Sequence, residues 1–182
     1  HFGLIGCQTH LMPPEAFRFL DERHFDVVRL GAARADLPSV EPVIRDADVL
    51  AFHMGAVRYS DAPAQAAPSP SGFTAEEACQ ICRYAGMSDK LKAFGIFGFQ
   101  GELDHSGQSA QFVAQMIWYC IEGFYQRKGD FPASTDGMVE YVVELKDIDQ
   151  PLVFWKSNRT GRWWMQLAVK TGRKPQRHRL IP

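Results

Sequence analysis

The chain has 182 residues, 46% of them apolar and 23% charged, which is ordinary for a globular protein and sufficient for one domain with a buried core. Its 20 basic residues nearly balance 21 acidic ones, so the composition gives no reason to expect a nucleic-acid partner or an anionic membrane surface. No apolar run approaches the roughly 18–20 residues of a membrane span and no signal peptide is visible, so we expect a cytoplasmic protein without a membrane partner.

The first part of the chain alternates short apolar runs with amphipathic segments. The apolar runs predict strands near residues 2–7, 26–31 and 48–54. Helices are predicted over residues 13–22, where proline stands in the first turn, and over residues 37–47. Strands that alternate with helices in this way indicate a parallel sheet between helix layers.

The next helix has clear start and stop signals. Thr74 and Glu77 have the spacing of a capping box, and Gly86 is the predicted stop. Cys79 and Cys82 have CxxC spacing inside this helix, but no second pair completes a zinc site. The cysteines are therefore interpreted as small apolar residues in a reducing compartment.

Downstream of this helix the alternation of strands and helices first continues and then gives way to strands alone. A fourth strand is predicted near residues 91–98, and a long helix over Ser109–Tyr125 is apolar nearly all round, which predicts burial on several sides. After Pro132, segments rich in β-branched and aromatic residues predict an antiparallel ribbon. The predicted ribbon segments are 138–145, 152–155 and 162–167.

Together these elements predict an α/β fold with three layers, α/β/α, in which the four early strands form one parallel sheet. We expect one domain, with an α/β body at residues 1–131 and a β-ribbon extension with a basic tail at residues 132–182. His1 stands directly before an apolar run, without a methionine or a polar lead-in. We therefore expect the domain to be incomplete at its N-terminus.

Polar residues follow the third strand, and such residues at the carboxyl ends of parallel strands are typical of a functional site. They are His53, Arg58 and Asp61, with Gly55 between them, and His10 follows the first strand toward the same edge. Arg58 could bind a substrate carboxylate or form a structural ion pair. Asp61 is typical of a turn before Ala-Pro, and its alternative role is in the site.

The segment DADVLAFHMGAVRYSDAPAQAAPSPSGFTAEEACQICRYAGMSDKL, at residues 46–91, carries a family resemblance. It resembles the ureohydrolases, the superfamily of arginases, agmatinases and formimidoylglutamases. The strings SDAP, AQMIWY, IEGFY, KSN and RWWM are similar to the bacterial formimidoylglutamase-type branch. The resemblance covers essentially the whole chain, so it implies a single arginase-like domain of which this is the C-terminal portion.

The resemblance implies an enzyme that hydrolyses C–N bonds in linear amidines. Such enzymes hold two manganese ions at the strand ends, and a bridging water attacks the amidine or guanidinium carbon. The implied partner is a small amidine or guanidino substrate, and a homo-oligomer remains open. Two family motifs with most of the metal ligands, Gly-Gly-Asp-His and Asp-Ala-His-x-Asp, do not occur in this sequence.

The chain departs from the family at the remaining site positions. His53 and Gly55 stand where the third motif has two aspartates, and Gly98 stands where the family has a glutamate near the amidine. His53 is open to three interpretations: a metal ligand, a relic of a ligand position, or a core histidine. With these losses we do not expect this chain alone to be active.

Two functions therefore remain after the sequence alone. One is a manganese-dependent amidine hydrolase with degenerate ligands, in which Arg58, Asp61 and His10 line the substrate pocket. The other is a non-catalytic relative that acts as a structural or regulatory subunit.

Overall fold

The computed structural model describes residues 1–146, 151–169 and 177–182. The chain divides into two compact units, residues 1–127 and 128–182. This division lies close to the boundary predicted after residue 131, and the assignment of the whole chain to a single domain stays a prediction. Part of the predicted basic tail, residues 170–176, falls outside the described residues.

The first unit contains two pairs of parallel strands. Strand β1 (Gly3–Cys7) pairs with β2 (Asp26–Arg29), and β3 (Val49–His53) pairs with β4 (Ala93–Phe97). The parallel direction of these pairs confirms the predicted α/β class.

The expectation of one four-stranded sheet is wrong for the described residues, because the two pairs form separate sheets. The apolar alternation of a strand fixes which face it buries, but it does not fix which strand edges meet. Ile5 and Val28 of the first pair nevertheless pack against the core to which Phe52 of β3 belongs. Side-chain packing thus joins the two pairs where no ladder of backbone hydrogen bonds does.

The described helices of the first unit all lie between or after these strands. They are α1 (Pro14–Glu22), α2 (Leu30–Ala35), α3 (Glu41–Arg45), α4 (Ala75–Met87) and α5 (Gln108–Tyr125). The helix predicted over residues 37–47 is divided into a 3-10 turn, Leu37–Val40, and α3. Each segment has a proline in its first turn, and proline lacks the N–H that would continue a preceding helix.

Helix α4 starts as predicted and ends later. The Thr74 hydroxyl accepts from the Glu77 backbone N–H at 3.2 Å, and the Glu77 carboxylate accepts from the Thr74 N–H at 2.8 Å, which confirms the capping box. Gly86 is not the stop, because the helix continues to Met87. Gly86 serves packing instead: a Cβ there would lie 2.0 Å from the backbone oxygen of Cys120 on α5.

Helix α5 packs on α4 and the core with one side only. Phe112 and Met116 are buried, whereas Ile117, Trp118 and Ile121 are 46%, 59% and 52% exposed. The prediction that α5 is buried on several sides is therefore wrong. An apolar composition all round a helix is compatible with an exposed side, because burial depends on what packs against it.

All four cysteines are free, and the CxxC pair lies buried in α4. Burial raises the pKa of the Cys79 thiol to about 11, and it raises the pKa of Cys82 further above its ordinary value. Both side chains belong to the hydrophobic core. Their environment is that of small apolar residues, as the sequence indicated.

The second unit is an antiparallel sheet, as predicted after Pro132. Its strands, in the order β5 (Met138–Val143), β6 (Leu152–Ser157), β7 (Trp163–Val169) and β8 (Arg177–Ile181), each pair with the next. Strand β8 lies where the sequence predicted only a tail. Trp164 is buried at 2% exposure, whereas its neighbour Trp163 is 44% exposed.

Candidate functional site

The candidate site is built on the carboxyl ends of β3 and β4. His53 is the last residue of β3 and lies in register with Phe97, the last residue of β4. Its side chain is exposed, which excludes the interpretation as a core histidine. The Nδ1 atom accepts a hydrogen bond from the Gly55 backbone N–H at 3.1 Å. In a neutral imidazole this places the proton on Nε2, so Nε2 is a donor.

Two glycines make room for the His53 ring. A Cβ on Gly98, the residue after β4, would lie 2.7 Å from His53 Cε1 and Nε2, and Gly98 has a φ of 79° that favours glycine. A Cβ on Gly55 would lie 3.0 Å from Nδ1. The ring therefore occupies the space that longer side chains at both positions would enter.

Arg58 and Asp61 form an ion pair in the loop that follows β3. Arg58 Nε donates to Asp61 Oδ1 at 2.7 Å, the Ser60 hydroxyl donates to the same oxygen at 2.8 Å, and the Ala75 N–H donates to Oδ2 at 2.8 Å. Burial acts to raise the pKa of Asp61, but these hydrogen bonds outweigh it and hold that pKa below its usual range. The bond to Asp61 also raises the pKa of Arg58. Asp61 thus ties its loop to the first turn of α4.

A polar groove of about 330 Å³ opens at this ion pair. Its lining comprises Arg58, Ser60, Asp61, Ala75, Glu76, Gln108, Gln111, Phe112 and Gln115. Gln108 Nε2 donates to the carbonyl oxygens of Ser60 and Asp61 at 2.9 and 3.1 Å, which joins α5 to the loop. The sequence reasoning missed the three glutamines. Their spacing places them on one flank of α5, and that spacing was the available signal.

His10 lies at the end of β1, which belongs to the other strand pair. It stands in a 3-10 turn, Thr9–Leu11, directly after β1, and its side chain is exposed. The neighbouring Gln8 reaches the loop before α4, donating to the carbonyl oxygen of Ser71 at 3.3 Å. Arg58 and Asp61 are therefore brought together directly, whereas His10 is placed after a strand of the other pair.

The donor set at the strand ends does not fit a pair of manganese ions. Hard divalent cations prefer several carboxylate oxygens, and no group of three or more His, Cys, Asp or Glu side chains with metal-site geometry occurs in the described part of the chain. His53 uses Nδ1 for Gly55, and Asp61 is committed to Arg58 and α4.

Known structures share the fold of this chain. No family model and no curated protein matches it. Formiminoglutamase from Trypanosoma cruzi, solved with Mn²⁺, matches with a TM-score of 0.64 and 17% identity over 68% of this chain and 44% of that one. Formimidoylglutamase from Bacillus subtilis matches at 0.62 and 16% over 68% and 41%. Arginase from Bacillus caldovelox matches at 0.59 and 16% over 66% and 42%.

These similarities define the class of fold. The chain has part of the arginase-superfamily fold, and it spans less than half the length of these structures. The structural similarity confirms the fold predicted from the sequence resemblance. Among the described residues, no helix is both long and apolar enough to cross a membrane.

Proposed function

We propose that this chain is part of an arginase-like protein whose strand ends no longer form a two-metal hydrolytic centre, and that its role is structural or regulatory. The observation that carries the proposal is the position of the His53 ring over Gly98, with Nδ1 bonded to Gly55. A cytoplasmic setting, in which the four free thiols stay reduced, fits this proposal.

The chemistry of the donors supports this function. A metal pair that activates water depends on anionic ligands that hold both cations close together. Here one position carries an imidazole ring, which supplies no negative charge and whose Nδ1 is bonded to the Gly55 N–H, and Gly55 offers no side chain. Metal binding at Nε2 would require the proton to move to Nδ1, where it would face the Gly55 N–H donor.

A second candidate function is the hydrolysis of linear amidines with manganese as cofactor. The fold similarity to formiminoglutamase and the polar groove beside Arg58 favour it. In this case Arg58 would bind the carboxylate of a substrate such as N-formimidoylglutamate. Asp61 would hold Arg58 in place, and His10 would stand at the neighbouring strand end.

Metal analysis and an activity assay of the full-length protein to which this chain belongs separate the two functions, because the 182-residue portion alone is expected to be inactive in either case. We expect no tightly held manganese and no hydrolysis of N-formimidoylglutamate, agmatine or arginine with manganese added. Two manganese ions per chain, or turnover of any of these substrates, would overturn the structural proposal.

The variants His53→Asp and His53→Asp with Gly98→Glu sharpen this test, since each adds carboxylates at the strand ends. We expect neither to gain manganese or activity while circular dichroism shows an intact fold. A gain in manganese binding would instead identify a damaged enzyme site.

A further inference from the structure

The side chain of Gln65 is buried in the loop that follows β3, and one polar atom of its amide has no partner. Gln65 is 2% exposed. Its Nε2 donates to the carbonyl oxygens of Val57 and Ala62, at 3.1 and 2.7 Å. An amide nitrogen has two hydrogens, so both are used, and this fixes which end of the amide carries the oxygen. Oε1 is buried and finds no hydrogen-bond partner among the residues that the structure describes.

The backbone around Gln65 is held from two sides. The Ala64 N–H donates to Ser109 Oγ of α5 at 2.9 Å, and the Ala64 carbonyl oxygen accepts from the Gln100 N–H, after β4, at 3.0 Å. The Gln65 N–H donates to the Pro63 carbonyl oxygen at 2.9 Å. All these partners lie in the first compact unit, so contacts inside that unit set the position of the amide.

The Oε1 atom faces the place where a side chain of residue 55 would stand. A Cβ on Gly55 would lie 3.9 Å from Gln65 Oε1 and 3.0 Å from His53 Nδ1. Both of these atoms are acceptors, and Nδ1 already accepts from the Gly55 N–H. A hydroxyl or amide group on that Cβ would come within hydrogen-bond reach of Oε1, whereas a carboxylate there would bring a second acceptor and a negative charge to it.

The burial of Oε1 makes this difference matter for stability. An acceptor that loses its water on folding and gains no partner lowers stability, and a donor that reaches it recovers part of the loss. A carboxylate beside it is repelled by the partial negative charge of the amide oxygen, and burial weakens the screening of that repulsion. The surroundings of residue 55 therefore favour a donor and disfavour an acceptor.

We propose that Gln65 determines which side chains position 55 can hold, because its Oε1 accepts a hydrogen bond from a donor there and excludes a carboxylate. This inference rests on the proposed function, since it names a third residue, beside His53 and Gly55, that keeps a metal-binding carboxylate away from the strand ends. Gln65 acts through position 55 and is therefore a positioning residue.

Urea denaturation of the full-length protein with Gly55→Ser or Gly55→Ala tests the acceptor. The unfolding equilibrium constant of Gly55→Ser should be about 5-fold smaller than that of Gly55→Ala, because the hydroxyl reaches Oε1. The same pair at Gly31 is the matched control, since nothing lies within 4 Å of a Cβ there. In α2 alanine is the better helix former, so the order of the two variants should reverse. A Gly55→Ser variant no more stable than Gly55→Ala would overturn the proposal.

The exclusion of a carboxylate is tested by Gly55→Asp and Gly55→Asn, whose side chains have the same size. At pH 7 the aspartate only accepts hydrogen bonds, so its unfolding constant should be larger by about 10-fold or more. Aspartate and asparagine at Gly31 should differ by less than about 3-fold, since that position has no acceptor beside it. Equal constants for the two Gly55 variants would show that Oε1 excludes nothing.

The two acceptors near position 55 are separated by repeating the serine and alanine comparison in two backgrounds. In His53→Ala the preference for serine should persist, and its loss would assign the acceptor to His53 and contradict the role of Gln65. In Gln65→Met, with the fold checked by circular dichroism, the preference should disappear, and its survival would equally contradict that role. The His53→Ala result decides alone if Gln65→Met does not fold.

Manganese analysis of the same full-length protein keeps this inference apart from the proposed function. Two manganese ions in the unsubstituted protein would overturn the proposed function, whatever the order of the Gly55 variants. Equal stability of Gly55→Asp and Gly55→Asn in a protein without manganese would overturn the role of Gln65 alone.

Discussion

The α4–α5 helix pair and the ends of β3 and β4 both depend on glycine, but the glycines face different neighbours. A Cβ on Gly123 of α5 would lie 2.3 Å from the backbone oxygen of Arg83 on α4. A Cβ on Gly98 would meet the His53 ring, an exposed side chain at a strand end. Backbone in a packed helix cannot move aside, whereas a surface side chain can rotate. The helix pair should therefore tolerate substitution much less than the strand ends do.

The largest effect is expected at the helix pair. Gly123→Ala should lower the free energy of unfolding by about 3 kcal/mol or more, because the added methyl group forces two helix backbones apart. Urea denaturation measures the loss. Gly31→Ala is the control, since nothing lies within 4 Å of a Cβ there and α2 is helical. If Gly123→Ala lowered the free energy of unfolding by less than Gly98→Ala does, the expected difference between the helix pair and the strand ends would be wrong.

A smaller effect is expected at the strand ends. Gly98→Ala should cost about 1–2 kcal/mol, from the positive φ and from contact with the His53 ring. Part of this cost should disappear when His53 is also changed to alanine, since the ring is then absent. A double-mutant cycle by urea denaturation measures that coupling. Strictly additive effects would show that the ring does not restrict residue 98.

The contribution of Asp61 to the free energy of unfolding depends on pH, which gives a second test of the region around the strand ends. Its folded pKa lies below the ordinary value, so its contribution to stability is present above the unfolded pKa and is lost as the pH falls through the folded pKa. The free energy of unfolding should therefore decline below about pH 4. Asp61→Asn should cost about 1–2 kcal/mol at pH 7 and flatten this decline.

Gly31→Ala provides the reference for that measurement. Nothing lies within 4 Å of a Cβ at this exposed position, so the variant should shift the stability curve without changing its slope between pH 5 and 3. An unchanged acid slope in Asp61→Asn would contradict the assigned role of this carboxylate.

The smallest effect is expected from Gly31→Ala. An exposed helical glycine costs conformational entropy on folding, so the alanine variant should be more stable by about 0.5–1 kcal/mol. Thermal unfolding detects the rise. A loss of stability would show that the surroundings of α2 are tighter than the structure indicates.

Local signals in the sequence predicted local structure well. The capping box at Thr74 and Glu77 involves neighbours three residues apart, so its spacing alone determined the contact. The strands β3 and β4 and the antiparallel ribbon followed in the same way from short-range alternation. The resemblance to ureohydrolases added the class of fold, which the comparison with known structures confirms.

Features that depend on distant neighbours were not predictable in this way. The exposed flank of α5 has the same apolar composition as its buried face, and only the tertiary structure distinguishes them. The hydrogen bond of His53 depends on the turn that brings the Gly55 N–H back to the ring. The separation of the two strand pairs likewise depends on which edges meet, about which the alternation of a single strand says nothing.

The buried thiols of α4 allow the opening of the helix pair to be followed by chemical labelling. An alkylating reagent reacts with a thiolate that it can reach, and Cys82 is both fully enclosed and held protonated by its surroundings. The rate at which Cys82 is labelled in the native protein therefore reports how often α4 separates from its neighbours. Cys120, half-buried on α5, would be labelled first if the helix end frays without such an opening. The ratio of the two rates distinguishes fraying from separation of the helices, without any added probe.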